Sequence, residues 1–250
     1  MAAIQPTLLL IADIAGYTRF MKMHDMSLAH AQQIIADLLE AVIDAASPKL
    51  KLAKLEGDAA FFYMPAPADD RPIDTPIGEH AAAIYRAFHA RAADISANTL
   101  CPCEGCQQAG KLKIKLVGHA GGVAVQKVKR MTELAGVDVI VVHRMLKNTV
   151  PVAEYLLVTK AVHPLLGDAL REHAAAFDLD LDDIGTTPAW YVDLAQHVPP
   201  LAPARKRSML ARVGGALSFS MRNLPYALRL RKPCEGFRNV PDAPGPAGTR

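Results

Sequence analysis

The sequence lacks several features that would place it in a specialised class of protein. No apolar run reaches the roughly 18 residues that are needed to cross a bilayer. The N-terminal stretch has no basic segment, and Asp13 interrupts its apolar run, so it does not fit a secretory signal peptide. Hydrophobic residues make up 51% and charged residues 21% of the chain, as in soluble globular proteins. These features predict a cytoplasmic protein.

Cysteine is scarce, and three of the four cysteines crowd into one loop. Cys101, Cys103 and Cys106 lie in CPCEGC within the loop 99–110, and Cys234 stands alone. In a reducing cytosol this is not a disulfide framework. Thiolates are good zinc ligands, so the loop is a candidate second metal site, with reduced loop thiols as the alternative. Three residues are candidates for a missing fourth ligand: His89, His119 and Cys234.

The chain also lacks a large charge of one sign, because its formal net charge is +3. Residues 201–250, however, carry ten Lys or Arg and two acids, whereas residues 1–200 are near −5. This asymmetry predicts a domain at 1–200 and a basic extension at 201–250, and it does not fit a nucleic-acid binder. Apolar residues near helical spacing in 205–232 predict that the extension touches an anionic membrane surface. The alternative is an extension that packs on the domain or stays unstructured.

What the chain does contain is the alternating pattern of a mixed fold. The predicted helices are 27–46 (with Ser27 as N-cap), 78–96 and 138–150. The predicted strands are 7–14, a hairpin over 49–64 that turns at Gly57-Asp58, a pair over 111–128 that bends near Gly118, Gly121 and Gly122, and late strands at 154–162 and 188–194. The order β-α-β-β-α-β-β-α-β with extra strands predicts an α+β fold, with an antiparallel-rich sheet and helices on one face.

Two carboxylates stand where predicted strands end. Asp13 follows the apolar run 8–11, and Asp58 lies at the tip of the next hairpin. If these strands are neighbours, both carboxylates project from one end of the sheet. Two such carboxylates suit two Mg²⁺ ions, which take hard oxygen ligands and leave positions for substrate phosphates. The alternative for Asp13 is a carboxylate that caps a turn or helix.

The turn that follows Asp13 is a candidate phosphate cradle. In IAGYT, Gly16 permits close approach, and the backbone N–H groups of Gly16, Tyr17 and Thr18 lead into a helix. Lys54 lies four residues before Asp58 on the same strand, within reach of a ligand held there. The alternative for Lys54 is one more outward lysine in a charged run.

Four segments together resemble the class III adenylate and guanylate cyclases. ADIAGYTRFM resembles their first metal motif, and KLEGDAAFF resembles their Lys-x-x-Gly-Asp motif. GHAGGVAV and TELAGVDVIVVHRM resemble the region that runs from the glycine-rich strand to the catalytic helix. The order and spacing fit over residues 7–194, and the chain is most similar to an uncharacterised bacterial branch. The resemblance implies a ferredoxin-like cyclase homology domain that binds a nucleoside triphosphate with Mg²⁺ or Mn²⁺ and works as a head-to-tail homodimer.

The resemblance also implies roles for individual residues. The two aspartates would bind two metal ions, with the Ile14 carbonyl as a further ligand. Lys54 would contact the base, and Glu133 falls where cyclases have the Asp that reads adenine. Arg144 would stabilise charge on the transferring phosphates, in a site that takes its metal aspartates from one subunit and its other residues from the partner. A structural helix arginine is the alternative for Arg144.

Two positions depart from the family pattern. The transition-state Asn should lie four residues before Arg144, where this chain has Ile140, which cannot donate a hydrogen bond. Asn148 lies one turn after Arg144 on the same predicted helix face and is a candidate substitute. Glu133 is longer than the usual Asp by one methylene. Two hypotheses follow: an enzyme that forms cyclic AMP or a related product with weak turnover, or a degenerate cyclase-fold module that regulates or dimerises.

Overall fold

The computed structural model describes residues 4–22, 28–66, 73, 75–100, 108–129, 131–199, 206–210, 213, 228 and 230. The strands in this part of the chain are β1 (Ile4–Ala15), β2 (Lys51–Glu56), β3 (Ala59–Pro65), β4 (Lys113–Val128), β5 (Met131–Ala135), β6 (Tyr155–Thr159), β7 (Ala175–Leu181) and β8 (Gly185–Asp193). The α-helices are α1 (Tyr17–Lys22), α2 (Leu28–Ala46), α3 (Ile77–Asn98), α4 (Val137–Arg144), α5 (Asp168–Arg171) and α6 (Leu194–His197).

The strands form one mixed sheet in the order β2-β3-β1-β4-β6-β8-β7, and β5 pairs with β4 outside this path. β4 and β6 run parallel, and the other paired strands run antiparallel. The predicted α+β class with an antiparallel-rich sheet is therefore confirmed. β1 lies between β3 and β4 at the centre, which explains why residues 7–12 are all buried.

Side chains of β1 alternate between two apolar clusters on opposite faces of the sheet. Leu8 and Leu10 lie in a cluster with buried residues of the long helices α2 and α3. Leu9 and Ile11 lie in a second cluster with buried residues of the short helix α4. The long helices thus share one face, as predicted, and α4 covers the opposite face, where Asp13 also points because it continues the alternation of Leu9 and Ile11.

The predicted strand pair over 111–128 is wrong, because this stretch is the single strand β4. Its glycines serve close packing. A Cβ at Gly121 would overlap the carboxylate of Asp138, and a Cβ at Gly118 would touch Val158. The chain turns only after β4, where Lys129 adopts a φ of 57°. In the sequence, glycines that leave room for a neighbouring side chain were therefore mistaken for the glycines of a bend.

Other predicted boundaries differ less. The predicted helix 138–150 ends early, because α4 stops at Arg144. Helices α2 and α3 match the predictions at 27–46 and 78–96 within two residues at each end, while Ser27 lies outside the described residues. The turn at Gly57-Asp58 joins β2 and β3 as predicted.

Two predicted regions fall largely outside the described residues. These are the cysteine loop with Cys101, Cys103 and Cys106, and most of the basic extension. At the start of the extension, Arg207 forms an ion pair of 2.6 Å with Asp94 of α3. Among the helices that the structure describes, none is long and apolar enough to cross a membrane.

Candidate functional site

The structure brings Asp13 and Asp58 together at one end of the sheet. β1 and β3 pair so that Asp13 lies opposite Ala59, and the Ile14 N–H donates to the carbonyl oxygen of Asp58 at 3.2 Å. Burial raises the pKa of Asp58 above its usual value, and the negative charge of Asp13 raises it further. The two carboxylates are therefore close enough to repel each other.

Lys115 supplies the positive charge at this edge. It lies opposite Asp13 in the β1–β4 register, and its Nζ is 2.9 Å from Asp13 Oδ2. Its charge also lowers the pKa of Asp58, against the two stronger effects that raise it. Lys115 could not be identified from the sequence, because no local pattern shows which residue of β4 faces Asp13.

The turn after β1 has the geometry that its glycine suggested. Gly16 adopts a φ of 89°, a conformation that other residues rarely accept. The chain then enters α1 at Tyr17, and the Phe20 N–H donates to the Gly16 carbonyl at 2.9 Å. Thr18 is exposed, and Tyr17 is half-buried against the cluster under α2 and α3. The turn thus lies directly beside Asp13.

Lys54 belongs to a network of ion pairs that joins β2 to α4. Its Nζ lies 3.0 Å from Glu56 Oε1, and the other oxygen of Glu56 lies 3.0 Å from His143 Nε2. His143 Nδ1 donates to the Val139 carbonyl at 2.7 Å, and its ring packs edge-on against Phe61. Burial would raise the pKa of Glu56, but the hydrogen bonds and charges of Lys54 and His143 outweigh it and hold that pKa below its usual value.

Arg144 lies at the end of α4 and pairs with the turn between β7 and β8. Its Nη2 donates to Asp183 Oδ2 at 3.0 Å, whereas its Nη1 is buried without an acceptor among the described residues. Arg144 is therefore ion-paired with Asp183, whereas Asp13 is ion-paired with Lys115.

The remaining predicted positions lie around α4. Ile140 is 50% exposed on α4, and Glu133 lies on β5 opposite Gln126 of β4. Asn148 follows the end of the helix, where its amide donates to the Met145 carbonyl at 2.7 Å and to the Tyr155 hydroxyl at 2.8 Å. Its predicted place on a continuing helix face is wrong, because the helix stops and Asn148 closes the turn after it.

A polar cluster fastens the start of α4 to the sheet. His119 Nε2 lies 2.8 Å from Asp138 Oδ1, and His119 Nδ1 lies 2.8 Å from the Thr159 hydroxyl. The second oxygen of Asp138 accepts the Gly122 N–H at 2.7 Å. Thr159 is 2% exposed, which makes it a poor candidate for contact with a substrate. The cluster holds α4 in place and thereby sets where Ile140 and Arg144 lie.

The donor set at the Asp13 edge suits a hard cation. Mg²⁺ usually takes one or two carboxylates and completes its shell with water and substrate phosphates. Asp13 and Asp58 provide such carboxylates, and Ile14 offers a backbone carbonyl one residue before β1 ends. In the part of the chain that the structure describes, no group of three or more His, Cys, Asp or Glu forms a complete protein-only metal cage. The edge is thus suited to a cation that arrives with a phosphate ligand.

Solved structures with a similar fold are class III nucleotidyl cyclase domains. The guanylyl cyclase Cya2 matches with a TM-score of 0.53 at 14% identity, over 77% of this chain and 94% of that chain. A class III adenylyl cyclase-like ATP-binding protein from Pseudomonas aeruginosa matches with a TM-score of 0.54 at 16% identity, over 68% of this chain and 36% of that chain. The chain has the class III cyclase homology fold, which confirms the resemblance at the level of the fold.

Sequence comparison identifies nearer relatives. The family model described as "Protein of unknown function (DUF2652)" matches residues 35–155. The "Uncharacterized protein Rv2561/Rv2562" of Mycobacterium tuberculosis is 44% identical over 207 residues, which cover 82% of this chain and 94% of the relative. The chain belongs to the same family as this mycobacterial protein.

Proposed function

We propose that the chain is a cyclase-fold domain that binds a nucleoside triphosphate together with Mg²⁺ or Mn²⁺ at the Asp13–Asp58 edge. The observation that carries the proposal is the approach of these two carboxylates at the end of neighbouring strands, beside the glycine turn. Burial and mutual repulsion raise the pKa of Asp58, so a divalent cation would gain more here than at an isolated surface carboxylate. Lys115 balances part of this charge and would release Asp13 when the cation arrives.

Each part of the site has a defined task in this proposal. Asp13, Asp58 and the Ile14 carbonyl would hold the cations, which supply charge neutralisation for the phosphates when bound. The backbone of Gly16, Tyr17 and Thr18 would face the phosphates. Lys54 would contact the base while Glu56 restricts its ammonium group through their 3.0 Å ion pair.

A homodimer would complete the site. Glu133 lies opposite Gln126, at the other end of β4 from the Lys115–Asp13 pair, and Arg144 is paired with the β7–β8 turn, so a second copy would supply these residues to the metal candidates. Exposed apolar side chains on two elements support this: Leu52 and Leu55 on β2 are 39% and 52% exposed, and Val137 and Ile140 on α4 are 67% and 50% exposed. A partner that covers both elements would bury them and bring its own Arg144 towards the triphosphate.

Turnover is a separate question from binding. Ile140 occupies the position of the expected hydrogen-bond donor, and Asn148 is engaged in closing the turn after α4. We infer that cyclic nucleotide formation is weak. The second candidate is a nucleotide-binding or dimerising module without turnover, which the same two residues favour. A class III adenylyl cyclase-like ATP-binding protein from Pseudomonas aeruginosa shares the fold, which fits that candidate.

Calorimetric titration of ATP with Mn²⁺ tests the binding proposal. The double variant Asp13→Ala with Asp58→Ala should abolish binding. A matched double variant, Asp178→Ala with Asp180→Ala, removes two exposed carboxylates from β7 and should bind like the wild type. Unchanged binding in the first variant would refute the site. Mass analysis of products from ATP or GTP then separates a weak cyclase from a binding module.

The role of the basic extension is a second proposal, which is independent of the nucleotide site. We infer that residues 201–250 extend a domain formed by residues 1–200 and touch anionic lipid. The full chain and a version that ends after residue 210, which keeps the Arg207–Asp94 contact, should differ in co-sedimentation with anionic vesicles. Equal pelleting of the two removes the membrane proposal and leaves the nucleotide site unaffected.

A further inference from the structure

The ion pair between Arg144 and Asp183 joins the catalytic-helix candidate to the turn that connects β7 and β8. Arg144 is 30% exposed and Asp183 is 87% exposed, so the carboxylate side of the pair is almost fully in solvent. Asp183 adopts a φ of 59° at the tip of the turn. The turn is short, and the Ile184 N–H donates to the Leu181 carbonyl at 3.0 Å across it. The pair is therefore an exposed contact made by the tip of a hairpin.

The guanidinium of Arg144 is only partly satisfied by this contact. Nη2 has Asp183, but Nη1 is buried and has no acceptor among the described residues. A buried charged donor without an acceptor is costly, because it has lost water without gaining a partner. The other donor, Nη2, is held only by the exposed carboxylate of Asp183, so an anion that displaced this carboxylate would gain a charged donor. An exposed carboxylate held by one hydrogen bond is a weak competitor for such an anion.

We propose that Asp183 is an affinity-setting residue: its carboxylate competes with the phosphates of the ligand for Arg144, and the β7–β8 turn leaves Arg144 when a polyphosphate binds. This inference rests on the proposed function, because it takes Arg144 to face the triphosphate. It concerns Asp183, which belongs to none of the sequence motifs that resemble the cyclases. While its carboxylate is bound to Arg144, Asp183 thus lowers the affinity of Arg144 for anions, which include the phosphates of the ligand.

The sign of the effect follows from charge. Asp183 repels an incoming polyphosphate and also occupies one donor of Arg144, so both contributions oppose binding. Removing the carboxylate should therefore tighten binding. Asp183→Asn is suited to this test because Asn has nearly the same shape and tolerates a positive φ in a turn.

The experiment measures the affinity of two probes by calorimetry in the full chain. The probes are ATP with Mn²⁺, and tripolyphosphate with Mn²⁺, which has no base or ribose. Asp183→Asn should tighten both by about two- to fivefold at low salt, and the gain should shrink as salt rises because exposed charges are screened. Asp182→Asn is the matched control, because it removes the same charge from the adjacent exposed residue and should change either affinity by less than about 1.5-fold.

Arg144→Gln supplies the second control. If Asp183 acts mainly through Arg144, then in the Arg144→Gln background Asp183→Asn should tighten binding no more than Asp182→Asn does, because only the repulsion by one exposed charge remains. The inference is overturned if Asp183→Asn weakens binding, if Asp182→Asn tightens it equally, or if the full gain persists without Arg144.

The two probes separate this inference from the proposed function. If tripolyphosphate shows the full pattern and ATP binds to no variant, the nucleotide proposal fails while the role of Asp183 stands. If ATP binds but Asp183→Asn behaves like Asp182→Asn, the nucleotide proposal stands and the role of Asp183 fails. If neither probe binds to any variant, both fail.

Discussion

Lys115 and Asp13 face each other across the β1–β4 pair, with 2.9 Å between Lys115 Nζ and Asp13 Oδ2. Lys115→Met keeps the aliphatic stem but leaves Asp13 beside Asp58 without its counter-charge. We expect the metal-free protein to lose about 1–3 kcal/mol of unfolding free energy, measured by denaturant titration.

The same variant links the ion pair to metal binding. Mn²⁺ would replace the missing charge, so Mn²⁺ with ATP should raise the melting temperature of Lys115→Met more than that of the wild type. Lys127→Met, an exposed lysine on the same strand, is the control and should alter neither stability nor the response. Equal losses in the two variants would contradict the role assigned to Lys115.

Asp58→Asn tests the strain between the two carboxylates. Burial and the Asp13 charge raise the folded-state pKa of Asp58 above the unfolded value, which is near 3.8. Between these two pKa values the folded state holds more protons than the unfolded state, so stability falls as pH rises through this window. The neutral Asn should therefore stabilise the metal-free protein at neutral pH, with a gain that vanishes as pH falls towards 3.8.

Thermal unfolding of wild type and Asp58→Asn over a pH series measures this gain. The variant should also lose binding of ATP with Mn²⁺, so the carboxylate would serve function at a cost in stability. A variant that is less stable than the wild type at neutral pH would show that Asp58 is held by attractions that outweigh its repulsion from Asp13.

Ile140→Asn introduces, at this position of α4, the hydrogen-bond donor that the resemblance to class III cyclases implies. The loss of one preorganised donor typically costs about 10²–10³ in rate. We expect product formation to rise at least about tenfold, which corresponds to roughly 1.4 kcal/mol of barrier. Ile140 is 50% exposed, so the substitution should leave the fold intact. Product mass, measured with ATP or GTP and Mn²⁺, gives the result.

Asp13→Ala provides the background control for Ile140→Asn. Without the metal aspartate, the new donor should bring no gain. If nucleotide binds and Ile140→Asn still gives no product, the chain is a binding module. If the wild type already turns over at rates typical of cyclases, another group has taken the role of the donor.

Gly121→Ala tests the cluster that fastens α4. The new Cβ would overlap the carboxylate of Asp138, which would then lose its contacts with His119 and the Gly122 N–H. We expect a loss of about 1–3 kcal/mol in unfolding free energy. Asp138→Ala alone should cost a similar amount.

The double variant distinguishes this cause from a general intolerance of β4 to substitution. With Asp138 already shortened to Ala, Gly121→Ala should add less than about 0.5 kcal/mol, because the clash has gone. Fully additive losses, measured by denaturant unfolding of all four proteins, would contradict the explanation.

How far the sequence could predict the site depended on distance along the chain. Asp13 with Gly16, and Lys54 with Asp58, lie within short motifs, so their positions in neighbouring strands and turns were predictable. Lys115 was not, because its contact with Asp13 depends on the register of two strands that are far apart in sequence. The same holds for Asp183, which reaches Arg144 from a separate hairpin.

Two strands differ from the predicted ones for different reasons. β4 was predicted as a pair of strands, and β7 was not predicted. In β4, Gly118 and Gly121 resembled a bend, although they admit neighbouring side chains from β6 and α4. In β7, Phe177, Leu179 and Leu181 alternate with Asp178 and Asp180, and Leu179 and Leu181 are buried. This alternation with a period of two is visible in the sequence, so β7 could have been predicted without knowledge of the packing.

The central strand β1 makes the protein sensitive to chain length at this point. Leu9, Ile11 and Asp13 point to one face, whereas Leu8 and Leu10 point to the other. Deleting or inserting one residue within β1 before Asp13 would turn its carboxylate into the apolar layer under α2 and α3 and bring an aliphatic side chain to the edge proposed for the cation. Exchanges among aliphatic residues in β1 would leave this placement intact. Over evolutionary time, β1 should therefore tolerate substitutions among aliphatic residues more readily than a change in its length.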